Sequence, residues 1–379
     1  MNKVLVSVYQ HPEYFPPTRS AIYLLAKEYE EVVVLTRNNF NSLKTDYPDN
    51  VRFIKIGRYI DLRESERKNI VWKFFVFFKF LLTYQYHIVS SNYKLVLIYD
   101  PIPLFVHHLS FKINKMIFWY HNHDILEISL CRKYSIGWFS AKYEHTGLTK
   151  MNIFSLPTDD RLKYFPNLGI HQKYFYLPNF PLTEKFEKVS LNTKRSEFTL
   201  IFQGAIGPNH GLENILEVMS KQDGINLILK GWSREEYKKQ LNKLINDYNL
   251  FPRVQWIGFT SYSELIEVSA SCHIGIGIHM HNDIMNSTLG TASNKIYEYL
   301  ALGLPAIVYD NEQFRKNLSE DECVFFYNGN NLYELICKIE NDYELISQKA
   351  RQSFLLKYNF DGYFYKVNQV IKSLETTFQ

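Results

Sequence analysis

The chain has 379 residues, too many for one hydrophobic core of ordinary size, so two domains of under two hundred residues each are expected. Apolar residues make up 46% and charged residues 22%, which excludes a disordered chain. The net charge of +4 is unevenly divided, because residues 1–180 hold 23 Lys and Arg against 15 Asp and Glu, and the remainder 20 against 24; a basic first half suits an anionic partner such as a membrane surface, while the lack of a long basic run argues against nucleic acid.

In chain order, residues 4–8 and 32–36 are apolar runs of the buried parallel-strand type, separated by a helix over about 21–30, and 51–56 is a third strand. The stretch from Tyr9 to Ser20 reads as a loop stiffened by Pro12, Pro16 and Pro17, with Arg19 as a cation that either binds an anionic acceptor or is an ordinary surface arginine. A long aromatic helix covers about 71–86, with Lys73 and Lys79 on it and Arg63, Arg67 and Lys68 upstream. Its apolar residues cover most faces, so it either lies on a bilayer or is buried between sheet and linker. Strands follow at 94–99, 116–120 and 152–156.

The second of these runs into His121-Asn122-His123-Asp124. An imidazole with a neighbouring carboxylate holds one tautomer and can hydrogen-bond a substrate hydroxyl or a leaving-group oxygen. Asp124 directly after His123 favours that histidine, but both stay open. Pro178-Asn179-Phe180-Pro181 and the polar stretch 183–197 read as a linker between a first domain, 1–182, and a second, 197–362, with a terminal helix over 363–379 packing back on the first. The second series has strands at 198–202, 225–230, 254–257 and 274–278, helices at 211–221, 235–248 and 262–271, and a closing strand at 306–309. Helical material fills 332–357 and 363–374. This alternation predicts α/β domains with doubly wound sheets.

Cys131, Cys272, Cys323 and Cys337 are scattered without metal-ligand spacing, as in a reducing cytosol. The chain enters a strand at once, with no long apolar leader and no run of about 18 apolar residues, so a cytoplasmic protein is expected, peripheral to a membrane at most.

The most informative segment is 293–308, SNKIYEYLALGLPAIV. Ser293 reads as a helix cap, Asn294 and Glu298 share one helical face, Gly303 ends the helix and Pro305 precedes a strand. A helix start offers unpaired N–H groups to an anion, and Glu298, one turn in, is placed to accept hydrogen bonds from sugar hydroxyls. Phosphate at the cap with a carboxylate beside it describes a nucleotide-sugar pocket. The segment resembles the donor-site helix of GT-B glycosyltransferases, in particular the GT4-like group, whose pattern (S)-(N)-K-x-x-E-Y-x-A-x-G-x-P is met at Ser293, Asn294, Lys295, Glu298, Tyr299, Ala301, Gly303 and Pro305.

The resemblance implies a GT-B architecture, two Rossmann-like doubly wound domains facing across a cleft. It implies transfer, of the retaining type, of a sugar from a nucleoside-diphosphate donor to a glycan or lipid-linked acceptor, in a setting such as bacterial surface polysaccharide synthesis. No metal or other cofactor is implied. Glu298 would hold the ribose, and backbone amides around Gly204, Gly207, Thr291, Ala292, Ser293 and Asn294 would hold the phosphates, with Lys295 and Lys230 as the two candidate cations. His121 or His123 would work at the reacting face.

Two departures stand out. The phosphate loop of the group carries Gly-Arg and then Lys-Gly, whereas this chain has Gly204-Ala205 and His210-Gly211, and where a first glutamate stands eight residues before Glu298 this chain has Gly290. The donor sugar is therefore not legible, and the polar loop His279–Asn286 is left to contact it. His279 and His281 form a His-x-His without a third convincing metal ligand. A nucleotide-sugar 2-epimerase of the same fold and a degenerate binding protein remain as other readings.

Overall fold

Two compact units make up the chain, one formed by Met1–Pro178 with Phe360–Gln379 and the other by Asn179–Asn359. The computed structural model describes residues 2–40, 47–111, 116–166, 168–169, 172–190, 194–258, 260–280, 284–319 and 321–378.

In the first unit, β1 (Lys3–Val8), β2 (Glu31–Arg37), β3 (Val51–Ile56), β4 (Tyr93–Tyr99), β5 (Ile117–His121), β6 (Ile153–Leu156) and β7 (Lys173–Tyr176) form a parallel sheet in the order β3-β2-β1-β4-β5-β6-β7. In the second, β8 (Phe198–Ile206), β9 (Ile225–Ser233), β10 (Val254–Ile257), β11 (Ile274–Gly277), β12 (Ala306–Tyr309) and β13 (Val324–Tyr327) are parallel in the order β10-β9-β8-β11-β12-β13. Central strands such as β1 and β4 are almost wholly buried, which is why they read as largely apolar runs. Each order reverses once, at β1/β4 and at β8/β11. Ligands of open α/β sheets settle beyond the carboxyl ends of the strands at such a reversal.

Several expectations are corrected. Pro16 and Pro17 occupy the first turn of the helix Pro16–Glu28, where a missing N–H costs nothing, so residues 16–20 are helix and not loop. The same tolerance lets Pro101 and Pro103 open the helix Pro101–Leu109, which the sequence did not announce. The series of the second unit closes on β13, beyond residue 309. Residues 332–357 are two helices, Leu332–Asn341 and Tyr343–Leu356, and the polar linker contains the helix Thr183–Glu187. The terminal helix Phe360–Phe378 lies in the first unit, where the Tyr29 hydroxyl donates to Glu375 at 2.9 Å and Lys372 pairs with Glu28 at 2.8 Å.

The helix Asn294–Ala301 sits unusually close to β11, because residues 275 and 277, on one face of that strand, are both glycine. A Cβ at Gly275 would lie 2.2 Å from the ring of Tyr299, and one at Gly277 2.8 Å from Ile296. Gly275→Ala is therefore expected to lower unfolding free energy by about 3 kcal/mol, the upper end for overpacking, in a urea or thermal melt.

Candidate functional site

The Asn294–Ala301 helix stops in a Schellman turn. Gly303 has φ 66°, its N–H donates to Leu300 O at 3.0 Å, and Leu304 N–H donates to Tyr299 O at 2.9 Å. Its start differs from expectation, because Ser293 makes no side-chain cap bond. The preceding 3-10 turn, Gly290–Ala292, engages the Ala292 and Ser293 N–H groups with Leu289 O and Gly290 O, so neither amide is left for a phosphate. Asn179 fixes this turn from outside, its N–H reaching Thr291 O at 3.0 Å and its Nδ2 reaching Ala292 O at 2.7 Å. The uncapped first-turn amides are those of Asn294, Lys295 and Ile296, which have no partner within a helix. An anion is attracted there by those donors and by the helix dipole.

One turn in, the buried Glu298 carboxylate is held at both oxygens. The Tyr262 hydroxyl donates to Oε1 at 2.7 Å and Gln203 Nε2 donates to Oε2 at 2.5 Å. The Ser269 hydroxyl donates to Gln203 Oε1 at 2.8 Å, which fixes the orientation of that amide. Burial pushes the Glu298 carboxyl up to about 6, with the two hydrogen bonds and Lys295 opposing, so it is mainly ionised at neutral pH. Two filled acceptor positions on a carboxylate leave others for ligand hydroxyls. Gln203, Tyr262 and Ser269 were not singled out from sequence; Gln203 stands directly before Gly204, and Tyr262 opens the helix Tyr262–Ala270.

Around the first turn of this unit the expected phosphate loop is mostly extended strand. β8 and β9 stay paired to Ile206 and Ser233, with Gly204 opposite Gly231, and a Cβ on Gly231 would lie 1.9 Å from Gly204 O. Gly204 has φ 109° and is exposed. The Gly207 N–H, expected at a phosphate, donates to His210 Nδ1 at 3.2 Å, so Gly207 and His210 fasten the loop to itself. Lys230 is also otherwise engaged, since it is buried and donates to Thr260 Oγ1 at 2.5 Å and Gly258 O at 3.3 Å. Lys295 differs. Its ammonium lies 4.0 Å from the centroid of the Phe202 ring and makes no hydrogen bond among the described residues, and it would be 3.8 Å from a Cβ at Gly204. Loss of solvation draws it down to about 7, with Glu298 pulling the other way. Of His279–Asn286, residues 281–283, His281 included, lie outside the described residues. Among the described residues no three His, Cys, Asp or Glu gather as metal ligands.

In the first unit the four residues 121–124 point four ways. His121 is buried with Nδ1 2.8 Å from Ser155 Oγ, and burial holds its pKa well below the ordinary range, with His123 and Arg161 adding to the effect, so it is neutral. Asn122 Nδ2 donates to buried Glu144 at 2.9 Å. Asp124 is 66% exposed and does not orient His123, as had been expected from adjacency. The orienting carboxylate is Asp100, directly after β4. It accepts the His123 N–H at 2.8 Å, and its Oδ2 is 3.1 Å from His123 Nδ1. On the other side His123 Nε2 is 2.9 Å from Thr18 Oγ1, and the ring is stacked between Phe15 (5.0 Å) and Tyr99 (4.7 Å). Arg161, fully buried, donates to the His123 carbonyl. Asp100 has φ 67°, a conformation that costs a non-glycine residue about 1–3 kcal/mol and tends to be kept for function. Thr18, Asp100 and His123 all lie by the carboxyl ends of strands at the β1/β4 reversal. Arg19 is not part of this group. It is buried in the Pro16–Glu28 helix, 3.2 Å from Glu13 and over the rings of Tyr23 and Tyr47, so it is no free cation for an acceptor.

Comparison with known proteins places these two units. Residues 183–353 match the sequence family described as glycosyl transferases group 1. Among solved structures, sucrose-phosphate synthase from Thermosynechococcus elongatus is similar over 100% of both chains with 13% identity and a TM-score of 0.71. HepE from Anabaena, in complex with UDP and glucose, is similar over 98% of this chain and 100% of its own, with 13% identity and a TM-score of 0.71. WaaG, a glycosyltransferase involved in lipopolysaccharide biosynthesis, is similar over 97% and 99%, with 11% identity and a TM-score of 0.66. At such identities these likenesses speak for the fold. Curated protein sequences give no significant match.

Proposed function

We propose that this chain, a GT-B glycosyltransferase whose residues 183–353 match the family described as glycosyl transferases group 1, moves a sugar, with retention, from a nucleoside-diphosphate donor to a glycan or lipid-linked acceptor of a bacterial surface polysaccharide. The observation that carries the donor reading is the start of the Asn294–Ala301 helix, where uncapped amides, Lys295 and Glu298 lie within one turn. HepE, which shares the fold, holds UDP and glucose, and WaaG serves lipopolysaccharide synthesis; both support this class of donor and acceptor.

In the proposed reaction the bond from the sugar's anomeric carbon to the diphosphate breaks, an acceptor hydroxyl oxygen bonds that carbon, and the hydroxyl proton passes to the departing phosphate. Glu298 takes the ribose hydroxyls. The amides of Asn294, Lys295 and Ile296 and the Lys295 ammonium take the diphosphate, a positive site that stands in for the Mg²⁺ used by other folds, so we propose transfer without a bound metal. His123, oriented by Asp100, is assigned to the transferred sugar.

Lys295 makes the donor reading testable by pH. A diphosphate favours the ammonium form, so above about pH 7 binding takes up a proton, and affinity that is full below this pH falls as pH rises. Stability moves the other way for this group. Its folded pKa lies below that of the unfolded lysine, so its cost to folding is complete below about pH 7 and fades as pH rises towards the unfolded value. Calorimetry of UDP binding at pH 8, in two buffers of different ionisation heat, is expected to show uptake of close to one proton. UDP binding without proton uptake removes Lys295 from the phosphate site, and failure of UDP, GDP and their sugar derivatives to bind at all removes the donor reading.

A further inference from the structure

The helix Ile70–Ser90 is apolar on two opposite faces. One is explained by packing, since Val76, Phe77, Phe80, Tyr84 and Ile88 are buried, the Tyr84 hydroxyl lies 2.7 Å from His107 Nδ1, and Phe77 stacks on Phe105 at 5.8 Å, which seats this face on the helix Pro101–Leu109. The other is not. Val71, Phe75, Phe78, Leu82, Tyr86 and Val89 are 37–74% exposed. At 100° per residue they fall within an arc of roughly 80°, along a line of about 27 Å. Scattered exposed apolar residues need no explanation, but a continuous stripe does.

Two further observations extend the stripe. Phe111 is 79% exposed, yet its backbone is clamped to the helix, because its N–H donates to Gln85 Oε1 at 2.8 Å and Gln85 Nε2 donates to its carbonyl at 2.9 Å. On the adjoining helix Ile136–Leu148 and the turn before it, exposed Leu130 and Tyr134 accompany Lys133, 5.1 Å over the Tyr134 ring, and Lys142, 5.0 Å over Trp138. Among the described residues of the segment 67–150 that builds this side are nine Lys and Arg against four acids, Asp100, Asp124, Glu127 and Glu144. Glu144 is buried.

We propose that this side of the first unit docks on an anionic lipid bilayer, the Ile70–Ser90 helix lying in the interface with its outer stripe among the acyl chains and the flanking cations at the headgroups. A second copy of the chain fits the stripe poorly, because it would bring a like excess of positive charge to the same face. Crossing the bilayer is not at issue, since among the described residues no helix is long and apolar enough to span one, and the inner face of this one is taken by the core. The proposal is independent of the donor reading, which concerns the other unit, and its failure leaves that reading standing.

The test is co-sedimentation of the full chain with vesicles of phosphatidylcholine alone or mixed about two to one with phosphatidylglycerol, for the wild type and for Phe75→Ser/Phe78→Ser/Leu82→Ser, whose sites are exposed and whose melting temperature is expected to stay that of the wild type. The wild type is expected to bind the anionic vesicles, with binding weakened by salt, and the triple variant to bind about tenfold less or worse. Equal binding of both proteins, no binding of the wild type to either vesicle, or a dimer in sedimentation analysis that the triple variant abolishes would each overturn the proposal.

Discussion

Replacing Glu298 with alanine is expected to weaken UDP binding by roughly 100-fold, the loss of about 3 kcal/mol that two hydroxyl bonds to one carboxylate supply. The same substitution strips Gln203 Nε2 and the Tyr262 hydroxyl of their buried acceptor, so some stability is lost as well. Tyr262→Phe separates the two effects. It removes one bond to Glu298 while leaving the carboxylate in place, and is expected to cost stability but only a few-fold in UDP affinity. Calorimetry of UDP binding beside thermal melts of both variants makes the comparison. If Glu298→Ala binds UDP as the wild type does, the ribose role is gone, whatever happens to its melting temperature.

The second large effect is expected at His123. His123→Ala should lower kcat by about 100- to 1,000-fold, the range for losing one hydrogen bond that strengthens in the transition state. Asp100→Asn is the sharper probe. Asparagine tolerates positive φ and still accepts the His123 N–H through Oδ1, so the fold should hold. Its amide, however, faces Nδ1 with a donor and favours the tautomer with the proton on Nε2, towards Thr18. A fall in kcat of roughly 100-fold with little change in KM or melting temperature is expected. Asp124→Asn, at an exposed carboxylate that does not touch the imidazole, is expected to change little. The reverse order of effects would return the positioning role to Asp124.

The strands were legible because parallel strands buried on both faces are largely apolar, as in Val4–Val8, broken only by Ser7, and Leu95–Tyr99. What escaped was structure that breaks local rules for a positional reason. Prolines at 16 and 17 read as stiffening a loop, and the helix that Pro101 and Pro103 open was not read at all, yet in a first helical turn prolines are harmless. Asp100 lies 23 residues from His123, and only the pairing of β4 with β5 brings them together; adjacency pointed to Asp124 because sequence carries no distance across a sheet. In the donor unit the helix Asn294–Ala301 was legible from its spacing, with Glu298 one turn in, and Lys295 was singled out by the family resemblance. The carboxylate's two partners could not, because Gln203 and Tyr262 reach it over 95 and 36 residues. Gly275 and Gly277 were visible as letters but not as the slot for Tyr299 and Ile296. His210, which stands where the group's loop carries lysine and was counted with the donor-binding residues, accepts a bond from its own loop.

The most direct measurement is a crystal structure of the chain with UDP. The pyrophosphate should lie on the amides of Asn294–Ile296 beside the Lys295 ammonium, with both ribose hydroxyls within hydrogen-bond distance of Glu298. UDP bound at another place, with residues 294–298 as they are without it, would contradict the donor site at its foundation.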